Sequence, residues 1–161
     1  MKLFLDTGNI RDIEAYCAIG IIDGVTTNPS LMAREEGDPR AITKRICEIV
    51  RGPVSAEVLA TDAEGMIREG RDLAAIDPHV VIKVPFGKAG VQACKALRED
   101  GIGVNVTLVF TPAQALLAAK AGASFVSPFV GRLDDVATDG MELVAQIVEI
   151  SVDRLQERLH E

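Results

Sequence analysis

The chain has 161 residues, 48% of them hydrophobic and 25% charged, with a formal net charge of −7. That balance suits one packed domain spanning 1–161 and argues against a nucleic-acid or anionic-membrane surface. The 3 cysteines (Cys17, Cys47 and Cys94) are odd in number, widely spaced and without a CxxC pair, so neither a disulfide framework nor a zinc site is expected.

The first candidate strand is Lys2–Leu5, closed by Asp6. A carboxylate that early is foreign to a signal peptide, and no apolar run approaches membrane-spanning length, so a cytoplasmic protein is expected. Gly24–Thr27 reads as the second strand and runs into Thr27-Asn28-Pro29, a turn-forming string. Ile42, Ile46, Ile49 and Val50 then recur at helical spacing before a third strand, Val54–Val58. Val80–Val84 is the fourth strand. After it, Gly87-Lys88-Ala89-Gly90 lacks the spacing and hydroxyl of a phosphate loop and reads as a strand-to-helix turn. Gly103–Val109 is the fifth strand, followed by Thr111-Pro112 as cap and first residue of a helix carrying Leu116, Leu117 and Ala121. Ser124–Val130 is the sixth strand. Residues 139–161 form one amphipathic helix, with Leu143, Ile147, Ile150 and Leu155 inward.

This strand-helix alternation predicts parallel strands covered by helices, either a doubly wound sheet or a (β/α) barrel. Strand polarity separates the two, because residues two apart share a face. Val104, Val106 and Leu108 lie on one face, Asn105 and Thr107 on the other; Val80, Ile82 and Val84 oppose Val81 and Lys83. Ser55 pairs with Glu57, Thr26 with Asn28, and Ser127 with Phe125 and Phe129. Helices on both faces would bury those polar groups under apolar side chains, whereas a barrel gives them an interior and a C-terminal mouth. A TIM-type (β/α) barrel is therefore predicted.

Lys83, in Val-Val-Ile-Lys-Val-Pro, would lose hydration inside such a barrel, which disfavours the ammonium and leaves an amine able to attack a ketone. A lysine that snorkels from an edge strand is the competing reading. Asp6 and Glu57 point into the same mouth, where two acids suit proton transfer in aldol cleavage; alternatively they balance Lys83 or Arg132. Thr26, Asn28, Asn105, Thr107, Ser127 and Phe129 line the mouth and suit a polyhydroxylated substrate, although Asn28 is equally at home in a turn. Arg132 suits a phosphate, with a local salt bridge to Asp134 or Asp135 as its rival. His79 and His160 have no partner legible in the sequence and are given no role.

The strings Phe4-Leu5-Asp6-Thr7, Gly24-Val25-Thr26-Thr27-Asn28-Pro29-Ser30-Leu31, Val81-Ile82-Lys83-Val84-Pro85, 103–110 and Ser127-Pro128-Phe129-Val130-Gly131-Arg132 together resemble the transaldolases, nearest the short bacterial-type branch that includes fructose-6-phosphate aldolase. The resemblance implies a Schiff base on Lys83, proton abstraction by Asp6, and proton shuttling by Glu57 through a water near Thr107. Asn28, Asn105 and Ser127 would hold a dihydroxyacetone unit, and Arg132 a substrate phosphate. The implied reaction carries that unit from sedoheptulose 7-phosphate to glyceraldehyde 3-phosphate, with no metal or organic cofactor. Related aldolases carry glutamine at the position of Glu57 and tyrosine at that of Phe129, so transferase is favoured over lyase.

The family barrel has eight strands, and only six βα units are legible here. The seventh strand, which brings a serine and an arginine to the phosphate site, and the eighth have no counterpart within 1–161. Three readings remain open: a truncated chain, a homo-oligomer in which another copy completes the barrel, or an idle sugar-phosphate-binding relative.

Overall fold

The computed structural model describes residues 2–158, with side chains described through Ser151. Six strands alternate with helices: β1 (Phe4–Asp6), α1 (Ile10–Cys17), β2 (Gly24–Thr26), α2 (Pro29–Met32), α3 (Pro39–Val50), β3 (Val54–Glu57), α4 (Ala63–Ala74), β4 (Val80–Pro85), α5 (Lys88–Glu99), β5 (Val104–Val109), α6 (Pro112–Lys120), β6 (Phe125–Pro128), α7 (Val130–Asp134) and α8 (Gly140–Arg158). The strands run parallel in the order β1-β2-β3-β4-β5-β6, as the alternation predicts. The sheet curls into a partial barrel. Phe4 on β1 and Phe125 on β6 come ring to ring, their centroids 5.7 Å apart, although four strands separate them in the sheet.

Local chemistry sets the helix starts. Asn9, Asp38, Asp62 and Thr111 each accept a hydrogen bond from an amide in the first turn of α1, α3, α4 and α6. Thr111 adds a capping box, in which Gln114 bonds back to the Thr111 amide. The core lies between the outer sheet face and the helices. Val25, Val54, Ile82, Val84, Val104, Val106 and Val109 meet Ile13, Ile46, Cys47, Met66, Cys94, Leu97, Leu143 and Ile147 there. Each such side chain stabilises by roughly 1.5–3 kcal/mol when removed from water. Gly90 marks the close approach of α5 to β4, since a methyl group there would collide with the Pro85 carbonyl. Of the string 87–90, read from the sequence as a strand-to-helix turn, only Gly87 lies in the turn, and Lys88, Ala89 and Gly90 already belong to α5.

Several details differ from the sequence reading. β6 ends at Pro128, and Val130 already opens the short helix α7. β1 starts at Phe4 rather than Lys2. Leu108 does not share the face of Val104 and Val106: it is exposed, its φ is 59°, and the β5–β6 pairing slips between Val106 and Val109. His79 does have a partner, since its Nδ1 lies 2.8 Å from Asp77 Oδ1 and its backbone N–H donates to the same oxygen at 2.9 Å. That amide, first of all, holds the Asp77 carboxyl below its usual range. Leu143 and Ile147 are buried and Ile150 is half-buried; Leu155 and His160 lie outside the described side chains. Among the described residues no helix is long and apolar enough to cross a membrane.

Two predictions follow from this packing. A Cβ on Gly24 would collide with the Phe4 ring and sit 2.6 Å from the Pro53 carbonyl, so Gly24→Ala should destabilise by about 2–4 kcal/mol in urea unfolding. Gly131→Ala, with open space around it, should change stability by less than about 0.5 kcal/mol. The thiols give a pH test. Burial pushes Cys47 up to about 12 and Cys94 up to about 11, against 9.0 for a free thiol. Above 9.0 the unfolded chain releases protons that the folded chain keeps, so stability falls as pH rises, by roughly 1 kcal/mol per pH unit for each thiol. Replacing both with alanine should flatten that slope in urea titrations run at alkaline pH.

Candidate active site

The register between β3 and β4 places Glu57 beside Lys83, and the register between β4 and β5 places Lys83 beside Asn105. In-register partners on parallel strands point the same way, so all three side chains face the interior at one level. Ile82 and Val84, fully buried on the outer face, hold Lys83 inward. Only 8% of Lys83 is exposed, which rules out the snorkelling alternative. Its Nζ lies 3.0 Å from Glu57 Oε2 and donates to the Thr27 carbonyl at 3.2 Å. The ammonium is therefore clamped between β2 and β3 rather than left among apolar groups.

A second polar chain crosses the interior beside it. Asn105 Nδ2 donates to Ser55 Oγ at 3.2 Å, and Ser127 Oγ donates to Asn105 Oδ1 at 2.9 Å. One hydrogen bond on each end of the amide fixes its orientation and leaves a second donor and a second acceptor position for another molecule. Thr107, two residues further along β5, is 2% exposed, and its hydroxyl has no partner among the described residues. Such an orphaned hydroxyl has unused capacity to donate and accept. Asp6, at the end of β1, accepts from Thr26 Oγ1 at 2.7 Å and is exposed to the mouth. Among the described residues it makes no ion pair with Lys83.

Two residues sit differently from the interior set. Asn28 caps α2, its Oδ1 accepting from the Leu31 amide at 2.9 Å, so its oxygen has the turn role and keeps one acceptor position, beside the Nδ2, to serve a ligand. Arg132, on α7, is 73% exposed at its side chain and pairs with Asp135 at 3.3 Å, the local salt bridge weighed from the sequence. Phe129 stands at the mouth against Phe110, with centroids 5.5 Å apart. Thr27 and Ser55 complete the site and are absent from the sequence-based set. Ser55 is legible as an inward polar residue on β3; the Thr27 contact runs through a backbone carbonyl and leaves no mark in residue type.

Comparison with known proteins follows the same lines. Residues 3–156 match the family described as Transaldolase/Fructose-6-phosphate aldolase. Relatives named "Probable transaldolase" include one from Kosmotoga olearia, 59% identical over 150 residues that cover 93% of this chain and 69% of that protein. Another, from Syntrophobacter fumaroxidans, is 58% identical and covers 93% of this chain and 70% of its own length. The chain thus spans about 70% of these relatives. Among solved structures, 3-hexulose-6-phosphate synthase superposes with a TM-score of 0.65 at 17% identity, covering 91% of this chain and 74% of that one. At that identity the likeness is one of fold alone, a barrel.

The Lys83–Glu57 pair is testable by a double-mutant cycle. Removing one partner leaves a partly buried charge unmatched, so Lys83→Met and Glu57→Gln should each destabilise by about 2 kcal/mol. The double variant should lose about 1 kcal/mol less than the two single losses added together, as read from urea midpoints.

Proposed function

The chain belongs to the transaldolase/fructose-6-phosphate aldolase family, and we propose that it is a transaldolase working through a Schiff base on Lys83. The observation that carries this reading is the buried Lys83 Nζ at 3.0 Å from the Glu57 carboxylate, beside an oriented Asn105–Ser127 pair. Passing a proton from Lys83 to Glu57 across that contact frees the amine lone pair. The amine adds to the ketone carbon of sedoheptulose 7-phosphate to give a carbinolamine. Glu57 then returns its proton to the departing hydroxyl, and water leaves as the iminium forms. The Thr107 hydroxyl, buried and without a partner among the described residues, is suited to hold a water in that relay once the site admits one.

In the iminium the Asp6 carboxylate takes the proton from the hydroxyl on the fourth carbon. The bond between the third and fourth carbons breaks, erythrose 4-phosphate leaves, and the electron pair moves into an enamine on Lys83. The iminium is the electron sink, so the reaction as proposed draws on neither metal nor organic cofactor. Attack of the enamine on glyceraldehyde 3-phosphate and hydrolysis then release fructose 6-phosphate. Asn105, Ser127, Thr26 and the free Nδ2 of Asn28 are suited to the hydroxyls of the three-carbon unit. Arg132 is suited to a phosphate once it swings away from Asp135. Glu57 and Phe129 favour transferase over lyase, since the resembling aldolases carry glutamine and tyrosine there. The setting we infer is the cytoplasm, with sugar phosphates as small-molecule partners and a homo-oligomer as the assembly.

Borohydride trapping with fructose 6-phosphate tests the reading by intact mass. The expected result is one dihydroxyacetone adduct per chain, lost in Lys83→Ala and slowed in Glu57→Ala by about 100-fold. An adduct that persists in Lys83→Ala would sink the assignment. Steady release of dihydroxyacetone without an acceptor would instead make the protein a lyase.

A further inference from the structure

β5 is not a regular strand, and its irregularity decides which way one phenyl ring faces. Leu108 has a φ of 59°, in the left-handed region. A leucine there is strained by about 1 kcal/mol or more, yet the residue stays 37% exposed and adds nothing to the buried core. What the extra residue changes is phase. In a regular strand Val106, Leu108 and Phe110 would share the helix-facing side. With the bulge, Val109 takes the buried position after Val106, and Phe110 turns to the opposite side, that of Asn105 and Thr107.

There Phe110 meets Phe129 edge to face, with an interplanar angle of 65°. Both residues are held through their backbones. The Phe110 N–H donates to Gln114 Oε1 at 2.6 Å, and the Phe129 N–H donates to the Val109 carbonyl at 3.0 Å. The pair forms an apolar rim at the ends of β5 and β6, two residues beyond Ser127.

We propose that Phe110, turned inward by the Leu108 bulge, is a specificity-determining positioning residue that holds the Phe129 ring so that no proton-donating water is bound beside the enamine carbon on Lys83. This rests on the imine reading given above. Transfer and release both end with water adding to an iminium carbon and the carbon–nitrogen bond breaking to return the Lys83 amine. They differ one step earlier: the enamine carbon gains a proton for release and bonds to the aldehyde for transfer. A proton-donating water has to be held beside that carbon for release, and two phenyl rings offer neither donor nor acceptor. Attack on an aldehyde acceptor needs no such donor at the carbon. A rim kept closed therefore biases the intermediate toward transfer.

The measurement is the ratio of acceptor-free fructose 6-phosphate cleavage to transfer. Phe110→Ala should raise it roughly two- to tenfold, the range an edge-to-face contact supports. Phe110→Leu should raise it less, and Leu108→Gly, which keeps the left-handed turn, should leave it unchanged. Borohydride trapping of the parent protein runs alongside. No adduct removes the imine reading and this inference with it; an adduct with an unchanged ratio in Phe110→Ala overturns the role of Phe110 alone. Fluorine NMR of protein labelled with para-fluorophenylalanine gives a readout independent of turnover. The Phe129 resonance, assigned with Phe129→Leu, should move in Phe110→Leu and stay in place in Leu108→Gly. A resonance that stays in place in Phe110→Leu also overturns the proposal.

Discussion

Lys83 and Glu57 face each other because they are Cα partners in adjacent parallel strands, and the rest of the site is arranged around that register. A slip of one residue would turn either side chain to the outer face and bring an apolar residue inward. What prevents the slip is the outer face. Ala56, Ile82 and Val84 lie between or beside the two polar residues and are buried against the helices. Moving them inward would expose that apolar area to water and force a carboxylate and an ammonium beneath α4 and α5. Core packing and ion-pair geometry are thus one constraint seen from two sides of the sheet.

The interior follows from the same alternation. Closing a parallel sheet brings every second residue of each strand into a narrow space, and here large and small side chains share it. Phe4 and Phe125 fill the floor, and Gly24, in register with Phe4, leaves room for that ring. Higher up, Ser55, Asn105 and Ser127 satisfy one another in a line, so their burial carries little unpaired polarity. Thr107 breaks the pattern at the level where β5 bulges. An unpartnered hydroxyl beside a strained leucine is a combination that folding alone disfavours, and such combinations concentrate at functional sites.

The sequence discloses the architecture because period-two polarity is written in side-chain type. Lys83 between Ile82 and Val84, or Asn105 between Val104 and Val106, can be read without coordinates. The helix start at Thr111-Pro112 is legible for the same reason, since capping depends on a hydroxyl and a ring at set positions. The Leu108 bulge is not legible. A left-handed residue is usually announced by glycine or asparagine, and leucine there makes the strand look regular. The Thr27 carbonyl that holds Lys83 belongs to the backbone and would be the same with any side chain. Asn28 and Arg132 carry two readings each in the sequence. Which one holds depends on whether a neighbour, the Leu31 amide or Asp135, is near enough to claim the side chain first.

Position in the sheet also divides the site by rigidity. β3, β4 and β5 are paired on both sides and nearly all buried, whereas β1 and β6 lie at the edges and are half-exposed. Lys83, Glu57, Asn105 and Ser55 therefore stand on strands held from two sides, while Asp6, Ser127 and the Arg132 helix are carried by edge elements. In the Schiff-base reading proposed above, a nucleophile and its proton partner lose most from displacement, since misplacement by an ångström costs rate steeply. Groups that meet substrates of different length gain from some freedom. On that reading, the strands paired on both sides carry the pair 3.0 Å apart, and the elements at the edges of the described sheet carry the groups proposed to meet the substrate.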